Sequence, residues 1–101
     1  MTLFPHLITH LKSVIISFYK KRTIKLVYKG VEDELQAFFI ANPNATKSEA
    51  ITHVKEKSLN MIFRSATHGL PEFTKRQIGF TIERMRFAVV EQVYFDKFKY
   101  K

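Results

Sequence analysis

Only three glycines and three prolines interrupt this chain of 101 residues. A β-sandwich or barrel turns back on itself about every eight to twelve residues and needs turn formers at each corner. The scarcity of such residues therefore favours helices. Ten phenylalanines and four tyrosines supply bulky core material, and 46% of the chain is hydrophobic. That is enough for one core without metal or disulfide staples, and too much for a disordered chain. The expected fold is mainly α: a small single-domain helical bundle of about four helices covering residues 1–101.

Periodicity divides the chain into segments. From Thr2 to Lys21, Leu3, Leu7, Leu11, Val14, Ile15 and Phe18 recur at three- and four-residue spacing, with Thr9, Lys12, Ser13, Ser17 and Lys20 largely on the other side. This is the pattern of an amphipathic helix, and Pro5 suits its first turn. Thr23–Tyr28 is rich in β-branched and aromatic residues and alternates weakly, so it reads either as a short strand or as a continuation of the first helix. Gly30 breaks the pattern. A second helix is expected from Val31 to Ala41, with Glu32, Asp33 and Glu34 in its first turn and Asn42-Pro43-Asn44 ending it.

Thr46 and Glu49 have the spacing of a capping box, which opens a third helix. Its buried side is marked by Ile51, Val54, Leu59, Ile62, Phe63 and Ala66, and Gly69-Leu70-Pro71 stops it. Thr74 and Gln77 form a second box-like pair, with Phe73 and Ile78 placed as a hydrophobic staple. The fourth helix then carries Ile78, Ile82, Met85 and Val89 on one stripe and Phe80, Phe87 and Tyr94 on another. A helix apolar on two sides is expected to lie centrally or at a homodimer interface. The tail from Val93 to Lys101 alternates aromatic and basic residues.

Several chemistries lack their residues. There is no cysteine, hence no disulfide, thiolate nucleophile or Cys-containing zinc site. The glycines are too scattered for a phosphate loop. His6 and His10 stand four apart with no nearby carboxylate to complete a metal site, and they read as solvated surface. Asp33, Glu34, Glu83 and Glu91 all have structural explanations as caps or ion pairs. No catalytic residue, metal ligand or cofactor is expected, and the chain reads as non-enzymatic. His6, His10 and Lys12 interrupt the apolar N-terminal run, so it resembles neither a signal peptide nor a membrane span. A cytoplasmic location is expected.

The net charge is +8, from 17 Lys and Arg against nine Asp and Glu. Lys20, Lys21, Arg22, Lys25 and Lys29 place five cations within ten residues with no acid among them. Lys75, Arg76, Arg84 and Arg86 form a second group, and Lys97, Lys99 and Lys101 a third. Such clusters attract phosphates through counterion release, and nearby aromatics can stack on bases. The segment Glu34–Val54 pairs a short apolar helix, an Asn/Pro turn and a Thr-capped helix. Over about twenty residues this resembles the first half of helix-turn-helix and winged-helix domains, although the third helix is longer than in a compact motif and the turn lacks glycine. The resemblance implies a groove-reading role for the helix beginning near Thr74, with Lys75, Arg76, Gln77 and Arg84 as contact residues.

The expected function is therefore that of a small nucleic-acid-binding accessory or regulatory protein, with DNA favoured over RNA. The site would comprise Lys20, Lys21, Arg22, Lys25, Lys29, Lys75, Arg76, Gln77, Arg84 and Arg86, on a homodimer formed through the fourth helix. The alternative is a protein-interaction module or inhibitor docking on the acidic surface of a partner protein. A membrane partner is disfavoured, on the premise that the apolar face of the first helix packs against the other helices.

Overall fold

The computed structural model describes residues 3–99, with side chains from Thr9 to Lys99. Among the described residues the regular structure is all helical, with no strand. Its elements are α1 (Leu3–Ala41), α2 (Lys47–His53), a π-helical turn (Val54–Ser58), α3 (Leu59–Thr67), α4 (Glu72–Met85) and α5 (Ala88–Lys97).

The organising element is α1. Its 39 residues run without a break through both the Thr23–Tyr28 segment and Gly30, so neither a short strand nor a separate second helix forms. The reason lies in spacing. Thr23, Val27, Val31, Leu35 and Phe39 are all buried and recur every fourth residue, forming a single ridge on one helix. A strand over residues 23–28 would send Thr23 and Val27 to one face and leave the rest of the ridge behind. Gly30 is a packing residue here. A Cβ at that position would sit 2.9 Å from Ile62 Cγ2, so glycine permits the close approach of α1 and α3. Glu32, Asp33 and Glu34 consequently lie in a helix interior and not in a first turn. Glu32 and Asp33 pair with Lys29, at 3.5 and 3.2 Å, and Glu34 accepts a hydrogen bond from the Ser58 hydroxyl.

Asn42 ends α1. Its backbone N–H and its side-chain amide both donate to the Phe38 carbonyl, and Pro43 prevents continuation. The Thr46–Glu49 capping box is present: the Glu49 N–H donates to Thr46 Oγ1, and the Glu49 carboxylate accepts from the Thr46 backbone. From Lys47 to Thr67 the chain is one continuous helical rod containing the π turn, where the Leu59 N–H reaches back five residues to the Val54 carbonyl. The turn absorbs one extra residue. It thereby aligns Ala50, Ile51 and Val54 with Leu59, Ile62, Phe63 and Ala66 on one buried side. This rod runs antiparallel to α1, since Ser58 meets Glu34, Ile62 meets Gly30, and Ser65 and Ala66 share a groove with Leu26. Gly69, at φ +80°, terminates α3 in the left-handed conformation that glycine adopts without strain.

The fourth helix begins at Glu72, earlier than Thr74 as its cap would require, and it breaks at Arg86–Phe87. Thr74 is fully buried and its hydroxyl donates to the Pro71 carbonyl at 2.6 Å. The second capping box is therefore absent, and Phe73 remains exposed instead of stapling to Ile78. The break redirects α5. Tyr94 and Phe98 then reach Phe39, at centroid distances of 6.3 and 5.8 Å, and Tyr28 donates to Asp96 at 2.7 Å. Buried residues of every element join one core cluster around the C-terminal half of α1.

Candidate functional site

The N-terminal half of α1 stands apart from this core. At 1.5 Å per residue the helix is about 58 Å long, which accounts for most of the 65 Å long axis of the protein. No residue from Thr9 to Arg22 is buried, and only Ile16 and Tyr19 are half-covered. Leu11, Val14, Ile15 and Phe18 are exposed, Phe18 at 63%. The amphipathic helix expected from the sequence thus exists, but among the described residues its apolar face, Leu11 to Phe18, does not pack on the other helices. That removes the premise on which a membrane partner was disfavoured.

At 100° per residue, Leu11, Val14, Ile15 and Phe18 fall within about 100° of helix surface. Arg22 and Lys25 continue the same line toward the bundle, and Lys21 flanks it. Thr9, Ser13, Ser17 and Lys20 occupy the opposite side. Phe18, Lys21, Arg22, Lys25 and Leu26 together line a shallow open groove where the apolar stripe becomes basic.

Charge is distributed unevenly. None of the nine acids precedes Glu32, whereas six of the 17 Lys and Arg do. Among the described residues, Lys20, Lys21, Arg22 and Lys25 are exposed and make no ion pair. The fifth member of the sequence cluster differs: Lys29 is held by Asp33 and Glu32, and Asp33 above all raises its pKa.

The second basic group divides similarly. Lys75 pairs with Glu72 at 2.9 Å. Arg86 is half-buried against Phe63 and Phe87, pairs with Glu83 and donates to Asn60, so it braces α3 and the α4–α5 break. Arg76, Gln77 and Arg84 are exposed. Arg76, Phe80 and Arg84 succeed one another at four-residue intervals, with the Arg84 guanidinium 5.7 Å from the Phe80 ring centre. Phe73, Phe80 and Phe87, seven apart and exposed at 45, 66 and 56%, extend this face. The buried side of α4 is Thr74, Ile78 and Ile82, so the phenylalanine row lies outside the core.

The compact arrangement implied by the helix-turn-helix resemblance does not form, because the first arm of that hairpin is the end of a 39-residue helix. Among the described residues no group of three His, Asp or Glu could hold a metal ion. The side chain of His6, and with it the His6–His10 pair, lies outside the described residues. No helix among them is long and apolar enough to cross a membrane. In the tail, Tyr94 and Phe98 are half-buried against the core, while Phe95 is exposed beneath the Lys99 ammonium at 4.3 Å. Compared with known proteins, the chain matches no family model, no curated protein and no solved structure.

Proposed function

We propose that this protein is a non-enzymatic nucleic-acid-binding accessory or regulatory protein. The observation that carries the reading is the set Lys20, Lys21, Arg22 and Lys25: four exposed cations on one helix, with no acid partner among the described residues. Lys29, Lys47, Lys55, Lys75 and Lys97 by contrast each pair with an acid. Unpaired cations at close helical spacing repel one another, and a polyanion relieves that repulsion while releasing its counterions. The Arg76–Phe80–Arg84 row on α4 adds the residue types that stack on unpaired bases and hold phosphate. Exposed phenylalanines stack most readily on unpaired bases, so this row favours single strands.

The test is a fluorescence-anisotropy titration of labelled duplex DNA, single-stranded DNA and RNA at two salt concentrations. With the four α1 cations and Arg76 and Arg84 engaged, log K should fall against log salt with a slope of roughly −4 on a single strand. Charge reversal at Lys21 and Arg22 should weaken all three ligands alike. Phe80→Ala should weaken the single strands and leave the duplex unchanged. Absence of binding to all three at low salt would sink the reading, leaving the acidic surface of a protein partner as the alternative. A homodimer through α4 would cover Phe73, Phe80 and Phe87 and so compete with base stacking on Phe80, and sedimentation velocity of the wild type and the Phe80→Ala variant, with and without single strand, distinguishes the two.

A further inference from the structure

The nucleic-acid reading uses the cations of α1 and leaves its apolar stripe unexplained. Leu11, Val14, Ile15 and Phe18 form a continuous line of exposed side chains on a helix that projects from the bundle. Three of the four are aliphatic and offer no ring for a base to stack on. A second copy of the chain is poorly matched to the stripe. Paired arms rely on opposite charges beside the apolar seam, yet no acid precedes Glu32, so two arms would bring together only cations.

An anionic lipid surface meets both requirements at once. Its acyl boundary accepts the stripe to a depth of about 5–10 Å, and its phosphates accept the flanking cations. Thr9, Ser13, Ser17 and Lys20, on the opposite side, remain in water.

We propose that the N-terminal half of α1 is a peripheral membrane-docking helix. It seats Leu11, Val14, Ile15 and Phe18 in the headgroup region of an anionic bilayer, with Arg22 and Lys25 on lipid phosphate. The projecting arm can lie in the membrane plane without disturbing the core, because the buried ridge of α1 begins only at Thr23. Arg22 and Lys25 belong to both readings, but Leu11, Val14, Ile15 and Phe18 belong to this seat alone, and Lys20 and the Arg76–Phe80–Arg84 row to nucleic acid alone, so replacing the apolar residues tests this proposal separately.

The chain has no tryptophan, so Phe18→Trp in the full-length protein gives a single emission reporter. With vesicles of phosphatidylcholine containing about one-third phosphatidylglycerol, the emission should shift to the blue, and with phosphatidylcholine alone it should not. Replacing both Leu11 and Val14 with Gln in the reporter protein should weaken vesicle binding at least tenfold. Arg22→Gln and Lys25→Gln should each weaken it roughly fivefold. All of these residues are exposed, so thermal unfolding of the bundle should be unchanged in every variant. Emission that stays at its aqueous position with anionic vesicles overturns the proposal. Vesicle binding undiminished by the Leu11 and Val14 replacements also overturns it, because charge alone would then suffice. A shift caused by single-stranded nucleic acid and not by vesicles, or by dimer formation in sedimentation, assigns the stripe to that occupant instead.

Discussion

Gly30 and Gly79 are both helix-interior glycines, yet replacing each with alanine should move stability in opposite directions. In a helix interior, alanine is more favourable than glycine by about 1 kcal/mol. At Gly79, in α4, an added Cβ meets no atom within 4 Å, so the full gain should appear. For a domain of this size it amounts to a rise in Tm of about 4–8 °C. At Gly30 the new Cβ would lie 2.9 Å from Ile62 Cγ2 and 3.3 Å from Cγ1. Ile62 is buried and β-branched in a helix, so it has one favoured rotamer and cannot swing away. Overpacking of this kind costs about 1–3 kcal/mol, which exceeds the propensity gain and leaves a net loss of about 1 kcal/mol. Thermal and urea unfolding of both variants measure the contrast. The same Gly30→Ala change in an Ile62→Ala background should become stabilising by about 1 kcal/mol, since the obstructing methyl groups are gone. A Gly30→Ala protein as stabilised as Gly79→Ala would refute the close α1–α3 packing described above.

Thr23 Oγ1 is buried without a hydrogen-bond partner, so the isosteric Thr23→Val should raise stability by about 1 kcal/mol, read as a shift in urea midpoint. Gly69→Ala should cost about 1–2 kcal/mol by forcing an L-residue to φ +80°, and a neutral result would place that turn in another conformation. The hydrogen bond to Asp96 raises the Tyr28 phenol to about 12. Its folded pKa lies above its unfolded value, so this contribution to stability is complete below about pH 10 and is lost as pH rises toward about 12. Phenolate absorbance should show one late-titrating tyrosine, and Asp96→Asn should return it toward the ordinary value.

The elements legible in the sequence were those written in local chemistry. Thr46 and Glu49 cap a helix, Asn42-Pro43 ends one, and Gly69-Leu70-Pro71 ends another, each by an interaction within a few residues. The expected buried set Ile51, Val54, Leu59, Ile62, Phe63 and Ala66 is buried throughout, and its five-residue step from Val54 to Leu59 is the trace of the π turn. What was not legible depends on distant partners. Gly30 carries the same letter whether it breaks a helix or admits Ile62. The Thr74–Gln77 pair has capping-box spacing, but Pro71 starts the helix sooner and Thr74 is drawn into the core. For the candidate site, the sequence marked the acid-free run from Lys20 to Lys29 but could not separate Lys29, held by Asp33, from the unpaired four. It also could not show that Leu11 to Phe18 lack a packing partner, because an apolar helix face looks the same whether covered or bare.

The arm is the part of the chain whose local choices fit a solitary helix least well. Lys21 and Lys25 are like charges four apart, and Leu11, Val14, Ile15 and Phe18 face water. Neither feature supports an unaccompanied helix, and a short helix without packing is marginal in water. The bundle by contrast has the Thr46–Glu49 capping box and a buried ridge from Thr23 to Phe39. Local conflicts concentrated in one segment are expected where that segment serves a partner. Hydrogen exchange tests this directly, because protection follows local opening energy. In the free protein, amides from Lys12 to Arg22 should exchange far faster than those from Val27 to Phe39, although both stretches belong to one helix. A partner that covers the arm should slow the first set and leave the second unchanged. Arm amides as protected as the ridge in the isolated protein would mean that the helix needs no partner, and both the nucleic-acid and the membrane readings would lose their physical motive.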